Sequence, residues 1–190
     1  MLTSWTGIVC VILVTEGRAS NYLFGAVHTA IYLLLSFKAT FYGEMLTSAY
    51  FFIMQPIGLY NWLSNRINGQ AHRKQTRFEA RTLSAVDWFK YLALTSFIWI
   101  SVGFAYQGVG SHRPFRDSMT DATNVVGQIL MTNLYREQWI FWIATNIFSI
   151  YLWWQNNEHI QIMYWVYALN SAFGWYRWTA ALKPSLEEEG

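Results

Sequence analysis

Apolar residues along this chain gather into seven blocks parted by short polar stretches. Five blocks, Tyr22 to Phe37, Met45 to Leu63, Trp88 to Tyr106, Trp139 to Trp154 and Ile160 to Leu182, are long enough or nearly so to cross a hydrocarbon core of about 30 Å as helices. Two shorter blocks, Leu2 to Thr15 and Asp121 to Leu134, are weaker candidates. A buried helix of a soluble protein would account for any one block, but seven leave almost no polar sequence for a surface in water. The pattern predicts an all-α membrane protein, a single transmembrane domain over residues 1–190 with seven transmembrane helices.

Two of the blocks close on the same motif, Gly58-Leu59-Tyr60-Asn61-Trp62 and Gly174-Trp175-Tyr176-Arg177-Trp178, about 116 positions apart. Asn21-Tyr22-Leu23-Phe24 falls on Gln138-Trp139-Ile140-Phe141, and one residue of gap in the following loop brings the two endings into line. The chain therefore reads as a duplication, with a first triple-helix repeat over residues 1–63 and a second over 121–182. A basic loop and linker helix over 64–106 join them. One extra crossing leaves both triplets in the same orientation, a 3+1+3 parallel repeat about an axis along the membrane normal. The motifs themselves read as packing elements, the glycines allowing close helix approach and the aromatics sitting at the headgroups. Each triplet opens with a short, imperfect helix, and the second carries Thr123, Asn124, Gly127, Gln128 and Thr132. Interrupted segments at matching places point to a binding site.

Composition agrees with the pattern: 54% of residues are hydrophobic and 13% charged, against about 25% charged in soluble domains. Cys10 is the one cysteine and lies in the first apolar block, which excludes a disulfide framework and gives it a packing role. With no basic residue ahead of that block and no small-residue cleavage site after it, no cleavable signal peptide is expected. A net charge of +2 is too small to imply nucleic acid. Its placement decides more than its sum: Arg66, Arg73, Lys74, Arg77 and Arg81 lie between Ser64 and Ala85, which puts that loop in the cytoplasm, the N-terminus outside and the C-terminus inside. The outer connection from Gly108 to Thr120 holds Arg113 and Arg116, offset by Asp117 and Asp121.

Inside the spans lie His28, Thr29, Gln55, Asn124, Gln128, Thr145, Asn146, Asn170 and Ser171. Each is costly to face toward lipid and must find a helix neighbour or a polar ligand. Glu16, Glu44, Asp87, Asp121, Glu137 and Glu158 all sit at helix ends or in loops, so no carboxylate offers ion coupling, and facilitated diffusion is expected. His28 could switch with protonation, although a lone membrane histidine more often bonds a neighbour. His72, His112 and His159 have no partner spacing for a metal, a haem or a catalytic group, so neither an enzyme nor a cofactor is expected. The sharpest pattern is Trp139-x-x-Trp142-x-x-x-Asn146-x-x-x-Ile150, whose spacings of three and four place two indoles and an amide on one helical stripe. Indole faces attract organic cations and an amide bonds hydroxyls or carboxamides. Trp139, at the helix end, also fits an interfacial anchor.

The W-x-x-W-x-x-x-N-x-x-x-I-x-L-W stripe, the Gly-x-Tyr-x-Trp ending and the basic loop after it resemble the PnuC-type nicotinamide riboside transporters, relatives of the SWEET sugar carriers, from about Trp5 to Trp178. The resemblance implies a multi-pass protein of the bacterial inner membrane that takes up nicotinamide riboside, an NAD precursor, by alternating access, with intracellular phosphorylation trapping it. It implies substrate-site roles for Trp142 and Asn146 by motif. Gln55 and Asn170 join them by repeat position, in a midplane space shared by the triplets, and Trp139, Gln128 and His28 complete the candidates. The expected partners are the substrate and membrane lipid, with a homo-oligomer left open. Thiamine, another cationic heteroaromatic, is the alternative cargo, and a channel or structural membrane subunit is the alternative of another class.

Overall fold

In the computed structural model the described residues are 2–38, 42–72, 80–153 and 158–187, and their side chains are described over 5–38, 45–65, 80–151 and 164–182. Seven helices follow one another: α1 (Leu2–Thr15), α2 (Asn21–Lys38), α3 (Tyr42–His72), α4 (Ala85–Gly108), α5 (Pro114–Thr132), α6 (Gln138–Trp153) and α7 (Glu158–Glu187). The single extended pairing among the described residues is an isolated bridge between Arg81 and Tyr135. The sequence thus predicted the number, type and order of the elements.

Several boundaries differ. The third helix runs to His72 although its apolar block ends at Leu63, because backbone bonding needs no apolar side chains and residues such as Asn, Arg and Gln continue a helix into water. The fifth starts at Pro114, well ahead of Asp121: proline has no N–H to leave unbonded at a first helical position, and Asp117 in the first turn suits the helix dipole. Arg73, Lys74 and Arg77 of the basic loop lie outside the described residues, as do Trp154 and the tail residues Glu188 and Glu189. By length and composition α4 can cross a membrane, and Trp5–Thr15 is a shorter apolar helix.

The chain divides into two compact units. The first comprises Met1–Ala80, Thr132–Leu134 and Arg177–Gly190. Within it α2 packs on both α1 and α3. The Tyr22 ring lies against Gly58, where a Cβ would have no room, and meets Trp62 edge-on at 5.3 Å. Trp62 in turn faces Trp178 at 5.8 Å, and the Trp178 indole donates to the Val14 carbonyl at 3.2 Å. The motif aromatics therefore divide. Tyr60 and Tyr176 are exposed, but the closing tryptophans Trp62 and Trp178 are buried, each indole in a packing site inside the protein.

The second unit comprises Arg81–Met131 and Tyr135–Tyr176. Its core is Val126 and Leu130 of α5 with Phe141 of α6, and Leu83, Trp88, Tyr91, Leu94 and Ile98 close over it from α4 and the residues before it. Ser84 caps α4 by accepting the Asp87 N–H. Farther along, Trp99 donates to the Phe115 carbonyl at 2.8 Å, Phe115 lies on Gly103, and Tyr106 donates to Asp121 at 2.7 Å. The opposite face of α4 presents Phe89, Leu92, Phe97, Ile100 and Phe104 outward. Trp139 packs on Gly174, so a ring at the start of the second helix meets a glycine of α7 as Tyr22 meets Gly58 of α3. The two turns ahead of those rings also match in conformation. The first passes through Gly17 at φ 67° and the second through Leu134 at φ 62°, the one described non-glycine residue with positive φ.

Candidate functional site

The helices α5, α6 and α7 of the second unit bring polar groups onto apolar helices. The Trp142 ring lies over Gly127 of α5, in van der Waals contact with the position a Cβ would take. Thr123 commits its hydroxyl proton to the carbonyls of Met119 and Thr120, so Thr145 is the donor in the 2.8 Å bond between the two threonines. Asn146, 7% exposed, donates its amide to Ser171 Oγ, whose own proton goes to the Tyr167 carbonyl. At 3.4 Å the Asn146 bond is long, and a better acceptor can displace it. Gln128, 3% exposed, has no hydrogen-bond partner for its amide nitrogen among the described residues. A buried donor left unbonded costs about 1–3 kcal/mol, a cost that a polar ligand accepting from the Gln128 amide would recover.

The stripe on α6 does not face one way. Trp142 reaches α5, whereas Trp139 and Asn146 reach α7. Trp139 is 2% exposed with its ring against Gly174, a packing position inside the protein. Of the neighbouring pair on α7, Ser171 takes the Asn146 amide and is buried, while Asn170 is partly buried. A signal for Ser171 was present: it stands three residues before Gly174, as Gln55 stands three before Gly58.

The first unit holds the other two candidates. Gln55, buried on α3, donates to the Phe51 carbonyl at 3.1 Å, next to the carbonyl that Pro56 leaves without its helical donor. Its amide lies over Gly25 of α2, and its carbonyl oxygen has no partner among the described residues. His28 is partly buried, with its ring beside Gly7 of α1 and stacked on Tyr32 at 6.1 Å. Among the described residues no group of three His, Cys, Asp or Glu could hold a metal.

Amides and hydroxyls turned between helices, with aliphatic and aromatic side chains on the outer faces, are the arrangement of a helical membrane protein with a polar interior. Comparison with known proteins narrows the class. The profile of the nicotinamide mononucleotide transporter family matches residues 1–180. The chain is 35% identical over 184 residues to the nicotinamide riboside transporter PnuC of Haemophilus influenzae, which covers 96% of this chain and 80% of that relative. It is 33% identical over 187 residues to PnuC of Neisseria mucosa, covering 94% and 70%. A solved structure, the crystal structure of the vitamin B3 transporter PnuC, superimposes with a TM-score of 0.75 at 30% identity, covering 96% of this chain and 81% of that one. The chain belongs to the nicotinamide mononucleotide transporter family.

Proposed function

We propose that this protein carries nicotinamide riboside across the bacterial inner membrane by facilitated diffusion and alternating access, with phosphorylation inside the cell trapping the cargo. The observation that carries the reading is the set of exchangeable or unmet polar groups beside an indole on α5 to α7: the Gln128 amide, the long Asn146–Ser171 bond and the Trp142 ring. An indole face suits a pyridinium cation, and amides suit its carboxamide and ribose hydroxyls, without any buried carboxylate.

The family is named for the mononucleotide and the relatives for the riboside, and the chemistry of these helices favours the riboside. After Arg116 no lysine or arginine occurs in α5, none occurs in α6, and none occurs in α7 before Arg177. A phosphate would need charge-assisted donors, for which Arg and Lys are the usual source.

The helices form a 3+1+3 parallel repeat, N-terminus outside and C-terminus inside. The shared ring-on-glycine contacts, Tyr22 on Gly58 and Trp139 on Gly174, support the repeat, as do the matched turns at Gly17 and Leu134.

The test is binding to the purified protein and uptake into vesicles. Parent protein should bind nicotinamide riboside and show saturable uptake that excess thiamine leaves unchanged. Asn146→Leu and Trp142→Ala should each abolish binding while elution profile and helix content stay as in the parent. Unsaturable uptake would point to a channel, competition by thiamine would replace the cargo, and intact binding in Asn146→Leu would remove the stripe from the site.

A further inference from the structure

The turn that feeds α6 carries an ion pair, its carboxylate buried and its guanidinium partly so, that the proposed function leaves without a task. Glu137 is 2% exposed. One carboxylate oxygen accepts from Arg136 Nη2 at 2.8 Å, and the other accepts the backbone N–H of Leu83, just ahead of α4, at 3.1 Å. The Arg136 guanidinium lies 4.2 Å from the ring centroid of Trp175 on α7. Its backbone N–H donates to the Arg81 carbonyl at 2.9 Å, and Arg81 lies over the Tyr135 ring at 5.1 Å. Two adjacent residues thus grip the segment before α4 and the flank of α7 together.

The same two residues begin α6. The Arg136 carbonyl accepts from Trp139 N–H and the Glu137 carbonyl from Ile140 N–H, so the clasp fixes the first turn of the helix that bears Trp142 and Asn146. A carboxylate at a helix N-terminus is also favoured by the dipole. Among the described residues the matching turn of the first unit has no such pair at these two positions. The α1–α2 turn that passes through Gly17 continues as Arg18, Ala19 and Ser20, with alanine and serine where the second turn has Arg136 and Glu137. The clasp belongs to the turn ahead of the indole and amide stripe.

We propose that Glu137 and Arg136 are positioning residues for the substrate site: held by Leu83 and Trp175, they set the rotation of α6 about its axis and so aim Trp142 toward α5 and Asn146 toward α7. The proposal rests on the reading of α6 as the substrate helix. The leverage is large, because turning a helix by about 20° carries a side-chain tip at about 5–6 Å radius through about 2 Å. That displacement is enough to separate the Asn146 amide from Ser171 and from a ligand hydroxyl.

The test measures nicotinamide riboside binding to the purified full-length protein, and KM and maximal rate of uptake in proteoliposomes. Glu137→Gln keeps one neutral acceptor and should raise Kd and KM about threefold, and Glu137→Ala, which keeps none, about tenfold or more. Arg136→Lys keeps the charge but loses the plane that lies on Trp175 and should act like Glu137→Gln. Maximal rates should stay within about twofold of the parent. A purely structural role would instead lower the maximal rate at unchanged KM and overturn the proposal. Glu137→Gln and Arg136→Lys that both bind like the parent, beside an Asn146→Leu protein that does not bind, would also overturn it and leave the substrate helix standing. Failure of the parent to bind nicotinamide riboside would overturn the functional reading, and the clasp with it. Should Glu137→Ala not fold, the Gln and Lys variants, which keep side-chain volume, carry the comparison.

Discussion

Gly174 has no side chain, and the Trp139 indole occupies the space one would fill: an added Cβ would come to 2.5 Å from two ring atoms. That ring is almost wholly buried and cannot swing aside cheaply. Alanine gains about 1 kcal/mol of intrinsic helix preference over glycine, but overpacking a buried contact costs about 1–3 kcal/mol. Gly174→Ala is therefore expected to lower thermal stability, whereas Gly108→Ala, where nothing lies within 4 Å, should be neutral or slightly stabilising. Melting curves of the two variants in detergent check the contrast. At this scale the sequence could be read for kind and not for partner. Asn146 stood out because a buried amide in an apolar helix needs a reason. Whether Asn170 or Ser171 answers it depends on which way α7 is turned, and adjacent positions on a helix point about 100° apart.

Among the elements, the apolar blocks were legible because a helix that meets lipid must keep its apolar residues continuous, and all seven helices are where those blocks lie. Their ends were less so. The polar residues from Ser64 to His72 carry the same signature as a loop, and Pro114 reads as a breaker until it is seen at a helix start. The clasp was hidden for a related reason. Arg136 and Glu137 look like ordinary turn residues in water, and only the approach of Leu83 and Trp175, 54 and 39 positions away from their respective partners, ties Glu137 into the interior and partly covers Arg136. Spacing within α6 was legible, but the side chains it aligned divide between two neighbouring helices, because the flanks of α5 and α7 at Gly127 and Gly174 each admit one indole.

For the molecule as a whole, the proposed orientation rests on the loop charges and can be tested directly. In a Cys10→Ser background, a cysteine placed at Gly110 should react with a membrane-impermeant maleimide in intact cells, and one placed at Arg81 only after permeabilisation; the opposite pattern would invert the topology. The relatives named above come from bacteria. A different dependence follows from α4. Its apolar block, the 19 residues from Trp88 to Tyr106, makes a rod of about 29 Å at 1.5 Å per residue, matched to a hydrocarbon thickness of about 30 Å. In a thinner bilayer the excess length is relieved by tilt or by local thickening of the lipid. Trp99 and Tyr106 bind α4 to the first half of α5, at Phe115 and Asp121, so any tilt it takes is passed to its neighbours in the second unit. Acyl-chain length then becomes a control on transport: reconstitution in bilayers of 14-carbon chains should slow uptake relative to 18-carbon chains, as though membrane thickness were an allosteric ligand.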